Sequence, residues 1–179
     1  MGAQAETAKV DKIILCSELT KMEVIEEWFE ANTERTVEPC KEAFADWGKD
    51  YANKQTWETL NWLPSGYGYS RCIVASRPPF FDIVAFRWDP HSRAPFHGHP
   101  SRGCIQLVLK GQLEETRFVP ASLGSVVSVI DSATPVFIQA DHTHSVSYKG
   151  DDEAISLHLY SPSGYTPVFE RAPSRIKNA

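Results

Sequence analysis

The tripeptide His97-Gly98-His99 is the strongest chemical signal in this chain of 179 residues, whose six histidines all fall between His91 and His158. On an extended strand residues i and i+2 share a face, so the two imidazoles would converge on one point, as metal ligands do. Such a pair needs a third donor. Asp141-His142-Thr143-His144 offers two, His142 and His144, which lie 43 and 45 residues beyond His99 and would share a strand face with each other. A second series, Ser156, His158 and Tyr160, also alternates and would project to one face, either as a hydrogen-bonded chain beside a site or as a polar surface toward solvent. Arg71 carries a planar forked guanidinium suited to a carboxylate, although isolated arginines usually serve only the surface.

These residues need a scaffold, and composition bounds its kind. Eighteen Lys plus Arg against 23 Asp plus Glu give a net charge of −5, with 42% hydrophobic and 23% charged residues. These are globular values, and a chain of this size buries about 70% of its unfolded surface, enough for one domain over residues 1–179. No cluster of Lys or Arg marks a nucleic-acid surface. Neither a leader pattern nor a long apolar run stands out, so the expected setting is cytoplasmic, with no membrane partner. Cys16, Cys40, Cys72 and Cys104 show no C-x-x-C spacing and are expected to be thiols. A monomer is the default expectation.

Residues 1–62 hold 7 basic and 13 acidic side chains and four of the five Trp, and read as a helical region. One helix is expected from about Thr20, where Thr20 and Glu23 have capping-box spacing and Met22, Val24, Ile25, Trp28 and Phe29 form an apolar stripe. A second is expected over Pro39–Tyr51, with Pro39 in its first turn. From residue 63 to 173 the period changes to two. Strands are expected at Phe80–Trp88, Ile105–Lys110, Leu113–Phe118, Ser125–Ile130, Pro135–Gln139, Val146–Tyr148 and Ile155–Tyr160, with a hairpin turn at Lys110-Gly111-Gln112. That many short strands predict a mainly β sandwich or barrel. Residues 174–179 read as a frayed tail.

Five residues after His99 comes Cys104, and Gly111 follows seven later. With His144 this spacing resembles the two motifs of the cupin superfamily, small antiparallel β-barrels of jelly-roll type. In cupins the first motif supplies two histidines and an acidic ligand, and the second one more histidine. Cys104 stands at the acidic position, so the resemblance implies three neutral imidazoles and a metal charge that the protein does not compensate. From Tyr69 to Tyr160 the chain resembles the cysteine dioxygenases, in Tyr69-Ser70-Arg71, Trp88, the His97–Cys104 stretch, His144-Ser145-Val146 and Ser156-Leu157-His158-Leu159-Tyr160-Ser161-Pro162.

The resemblance implies a cupin-type barrel preceded by two or three N-terminal helices, with Fe(II) held by His97, His99 and His144 rather than His142. It implies L-cysteine and O2 as partners and cysteine sulfinic acid as product. Arg71 would take the substrate carboxylate with Tyr69 beside it, and Ser156, His158 and Tyr160 would form a relay. Cys104 and Tyr160 match a pair that some members join as a thioether, and Ser161-Pro162 matches a cis turn. The related 3-mercaptopropionate dioxygenases generally have Gln where Arg71 stands, which favours cysteine. Another small thiol, or a non-catalytic metal-binding cupin, are the competing readings. Tyr148, where the second motif commonly ends in Asn, and Ser163-Gly164-Tyr165-Thr166 depart from the family pattern.

Overall fold

The computed structural model describes residues 16–54, 56–119, 124–132 and 134–169. The expected frayed tail at 174–179 and the side chain of Cys16 lie outside the described residues. Helix α1 runs Cys16–Ala31 and helix α2 Lys41–Asn53, the latter entered through a single 3-10 turn, Glu38–Cys40, that holds Pro39 as expected. The Thr20 start is corrected. Ser17-Glu18-Leu19 contains no breaker, so the helix extends back past Thr20, which is not its cap. Ile25 and Phe29, four apart, are fully buried, whereas Val24 lies off that stripe and is 54% exposed.

Among the described residues ten strands follow: β1 Leu63–Pro64, β2 Tyr69–Arg77, β3 Phe81–Trp88, β4 Arg93–His97, β5 Cys104–Lys110, β6 Leu113–Val119, β7 Gly124–Ile130, β8 Val136–Ile138, β9 Thr143–Ser147 and β10 Ala154–Tyr160. They form a six-stranded sheet in the order β1-β2-β3-β10-β5-β8 and a four-stranded sheet in the order β4-β9-β6-β7. All the ladders between named strands are antiparallel.

Three strands were not expected: the two-residue β1, β2 and β4. β2 is half exposed along most of its length and shows little contrast between its faces. β4 contains Pro95, tolerated because β4 is the edge of its sheet. The hairpin at Lys110-Gly111-Gln112 is corrected as well. Gly111 does turn the chain, with φ of 77°, but β5 and β6 belong to different sheets, so the turn is a crossover.

Alternation divides the large sheet into two faces. Phe81, Ile83 and Ala85 of β3, Ile105 and Leu107 of β5, and Leu157 and Leu159 of β10 pack outward against Ile25, Phe29, Phe44 and Trp47 of the helices. The residues between them point the other way, toward the small sheet, including Trp88, Cys104, Gln106, Ser156, His158 and Tyr160. Every residue of β10 is therefore buried, because helices cover one face and the second sheet the other. Burial of this double-sided kind stabilises by about 25 cal/mol per Å² of apolar surface, and it leaves β10 rigid where its polar series meets the interior.

Candidate metal centre

Strand register assembles the histidines. His97 at the end of β4 pairs directly with His144 on β9, and His144 pairs on its other side with Arg117 of β6. His99 stands just beyond β4. Its ring is fixed from the far side, where Nδ1 donates to the His142 carbonyl at 3.1 Å. His97 Nδ1 donates to the Pro95 carbonyl at 2.8 Å, and His144 Nδ1 donates to the Glu115 carboxylate at 2.5 Å. Each ring thus spends its proton outward. The Nε2 atoms are left as lone-pair donors facing inward, with His144 Nε2 at 3.2 Å from both His97 Nε2 and His99 Nε2.

Three lone pairs aimed at one another repel unless a cation stands among them. Burial pushes His97 down from the ordinary imidazole range and His99 and His144 well below it, and the neighbouring imidazoles add to this for the last two. The neutral rings that a metal requires are therefore the favoured form. The ligand atoms of His97, His99 and His144 all lie within 4.8 Å of one another, and the group contains no carboxylate and no thiol. This donor set fits a divalent transition metal with positions left for other ligands. His142 is not in the group; its backbone carbonyl holds His99 Nδ1, and the residue borders a separate cavity.

No known family profile matches the chain. Solved structures do resemble it. A structure of oxalate oxidase is 17% identical with a TM-score of 0.52, covering 59% of this chain and 56% of that one. Oxalate decarboxylase from Bacillus subtilis, which has Mn(II) centres, is 16% identical with a TM-score of 0.55 over 63% of this chain and 30% of its own. An RmlC-like cupin from Shewanella frigidimarina is 16% identical with a TM-score of 0.50 over 60% of this chain and 87% of its own. The fold is of the cupin type. The chain spans little more than half of the oxalate oxidase and less than a third of the decarboxylase.

Within this fold, β10 lays a hydrogen-bond chain beside the histidines. Trp88 Nε1 can only donate, and does so to Ser156 Oγ at 2.9 Å; Ser156 Oγ shares a hydrogen bond with His158 Nε2 at 3.0 Å, and His158 Nδ1 shares one with the Tyr160 hydroxyl at 3.1 Å. Burial pushes His158 down to about 3, so its ring is neutral, and holds the Tyr160 phenol well above its usual range, so its hydroxyl keeps the proton. Cys104 pairs in register with Tyr160 across β5 and β10 and hydrogen-bonds with it. Fully buried, its thiol is held well above the usual range and is neutral.

A cavity of about 270 Å³ lies outside this centre, with Arg71, Val84, Phe86 and Tyr160 among its walls. It shares Phe86, Tyr160 and Pro167 with a smaller one of about 20 Å³ bounded by His97, His158 and Tyr69. Arg71 and Tyr160 therefore line one cavity, and Tyr160 also borders the smaller one beside His97. Tyr69 is buried and stacks among Tyr67, Phe86 and Trp88, so its ring builds the wall. Tyr165, in the stretch that departs from the family pattern, stacks on Tyr160 at 5.1 Å and donates to the Gly98 carbonyl. The peptide bond between Ser161 and Pro162 is cis.

One member of the site was missed from sequence. Glu115, 2% exposed, places its carboxylate on His144, so the expectation of a metal charge without protein compensation is corrected: no anion is among the ligands, but one stands a single hydrogen bond behind them. Glu115 and Arg117 alternate in phase with buried Leu113 on an expected strand, which places two charges inward. Buried charges persist when paired, and that was the available signal.

Proposed function

We propose that this protein is a mononuclear iron thiol dioxygenase whose substrate is L-cysteine and whose product is cysteine sulfinic acid. The observation that carries the reading is the convergence of three unprotonated Nε2 atoms next to a hydrogen-bonded Trp88–Ser156–His158–Tyr160 chain and an Arg71-lined cavity. The balance is simple: both oxygen atoms of O2 add to the sulfur, RSH becoming RSO2H with no other reductant. Fe(II), held by His97, His99 and His144, would supply the thiol deprotonation and the activation of O2 that this reaction needs.

The residues of the chain do the rest. Arg71 binds the substrate carboxylate and orients the amino acid, so that its thiol and amine point past Tyr160 toward the histidines. Val84 and Phe86 exclude water from that side. Tyr160, held in place by its hydrogen bond with His158, offers its proton to charge that develops on a substrate sulfur or oxygen atom. Absence of a ligand carboxylate leaves more net positive charge at the centre, which suits binding of an anionic thiolate together with O2.

Cys104 and Tyr160, adjacent across the ladder, are also placed for a thioether in which a C–S bond replaces an S–H and a ring C–H, with two electrons and two protons passing to O2. The free thiols of Cys40, Cys72 and Cys104 suit a reducing cytoplasm. Among the described residues no helix is long and apolar enough to cross a membrane.

The test is anaerobic loading with Fe(II) followed by oxygen-electrode assay with L-cysteine, 3-mercaptopropionate and cysteamine. Oxygen uptake equal to sulfinate formed, fastest per unit KM with cysteine, supports the reading. Faster turnover of a thiol lacking the amino group or the carboxylate replaces the substrate. No uptake with any thiol overturns the dioxygenase.

A further inference from the structure

Behind His144, bordering a cavity that shares no lining residue with the Arg71 one, lies a charged pair that the proposed reaction does not touch. Glu115 Oε1 accepts the His144 Nδ1 proton at 2.5 Å. The same carboxylate is held by Arg117, whose Nη2 donates to both oxygens at 3.0 and 2.9 Å and whose Nε donates to Oε1 at 3.1 Å. Ser128 Oγ adds a longer contact at 3.4 Å. Arg117 Nη1 reaches the Phe137 carbonyl at 3.2 Å, which ties β6 of the small sheet to β8 of the large one. Neither His97 nor His99 has a comparable partner, since each donates to a neutral backbone carbonyl. The three ligands are therefore unequal by construction.

We infer that Glu115 and Arg117 are opposed positioning residues that set the donor strength of His144, and through it the affinity of the centre for its cation. A carboxylate on Nδ1–H draws the proton outward and makes Nε2 a better donor, the arrangement that outer partners of metal-bound histidines use. Arg117 works against this. It shares the same oxygens and places its own positive charge close behind the ligand, so it tempers the effect that Glu115 alone would have. Register fixes this opposition: Arg117 is the β6 residue directly beside His144, and Glu115 is the inward neighbour two positions away on the same strand face. A cavity of about 330 Å³, walled by Glu115, Arg117, Ser128 and His142, gives this pair a route to solvent separate from the Arg71 side.

This inference rests on the three-histidine metal reading, and the experiment keeps the two apart. Cobalt(II) and Fe(II) dissociation constants are measured by chelator competition for the wild type, Glu115→Gln and Arg117→Gln, with the visible spectrum of the cobalt forms and the thermal midpoint of each metal-free protein. Glu115→Gln keeps an acceptor for Nδ1 but removes the charge, and is expected to weaken binding roughly 10- to 100-fold. Arg117→Gln is expected to tighten it, with the cobalt bands of the two variants shifted in opposite directions. A merely structural pair would weaken binding in both. Weakening in both variants, or no change in either, while the wild type binds, overturns the pair's role alone. A wild type that takes up neither metal overturns the histidine site and this inference with it. Should Arg117→Gln fail to fold, Arg117→Lys, which keeps the charge but loses the fork, is expected to bind the metal somewhat more tightly than wild type with its cobalt bands shifted opposite to those of Glu115→Gln, and identity with wild type or a shift in the Glu115→Gln direction counts against the inference.

Discussion

Replacing a polar residue inside this barrel is expected to stabilise it, and Gln106 is the place. Gln106 is fully buried on β5, between His158 of β10 and Val136 of β8 in register. Among the described residues neither its Nε2 nor its Oε1 has a hydrogen-bond partner. A carboxamide desolvated without compensation costs about 1–3 kcal/mol in proteins. Leucine has a similar size and no polar atom, so Gln106→Leu recovers that penalty and adds apolar contact with Val136, offset in part by repacking. For a domain of this length each kcal/mol moves the thermal midpoint by about 2–4 °C, so the expected rise is roughly 2–12 °C. Urea unfolding with an unchanged m-value gives the free energy directly. Destabilisation by about 1 kcal/mol or more would show that the carboxamide has a partner in the native state and refute the reasoning.

Other perturbations test the site. Arg71→Ala removes charge-assisted bonds to a carboxylate worth about 1.5–3 kcal/mol, so kcat/KM for cysteine should fall roughly 10- to 150-fold with iron content unchanged; unchanged kinetics would remove the clamp. Coupling of Cys104 to Tyr160 removes two hydrogens, so after many turnovers intact mass should fall by about two units in the wild type but not in Cys104→Ser; a single unshifted wild-type species would exclude the thioether. The metal-free protein should lose stability in acid. His158 folds neutral with its value at about 3 against an unfolded 6.5, so its contribution is complete above 6.5 and is lost as pH falls toward 3, by up to about 1.4 kcal/mol per pH unit. Burial shifts His97, His99 and His144 in the same direction. Urea midpoints that stay level from pH 7.5 to 4.5 would contradict this.

Much of the barrel was legible because its strands alternate cleanly or are short and apolar between turns. β3, β5, β6, β7 and β10 fall within a residue or so of expectation. What was illegible depends on partners distant in sequence. β2 becomes a strand because β3 pairs along nearly all of it, although its own residues are half exposed. β4 is a strand despite Pro95 because β9 needs an edge partner. Nothing local reveals that Gly111 passes the chain between sheets rather than closing a hairpin.

The site divides the same way. His97 and His99 were visible as a pair, and the β10 series as an alternation, because both are local in sequence. The choice of His144 over His142 came from resemblance, and the structure shows its physical basis in the register of β9 against His97. Glu115 went unread because charge was sought among the ligands and not behind them.

The proposed chemistry requires a cation held by His97, His99 and His144. Iron content after anaerobic Fe(II) loading and desalting, compared among wild type, His144→Ala and His142→Ala, tests it most directly. Equimolar iron in the wild type and in His142→Ala, with little in His144→Ala, is the predicted result. Iron retained without the His144 ring, or absent from the wild type, would contradict it.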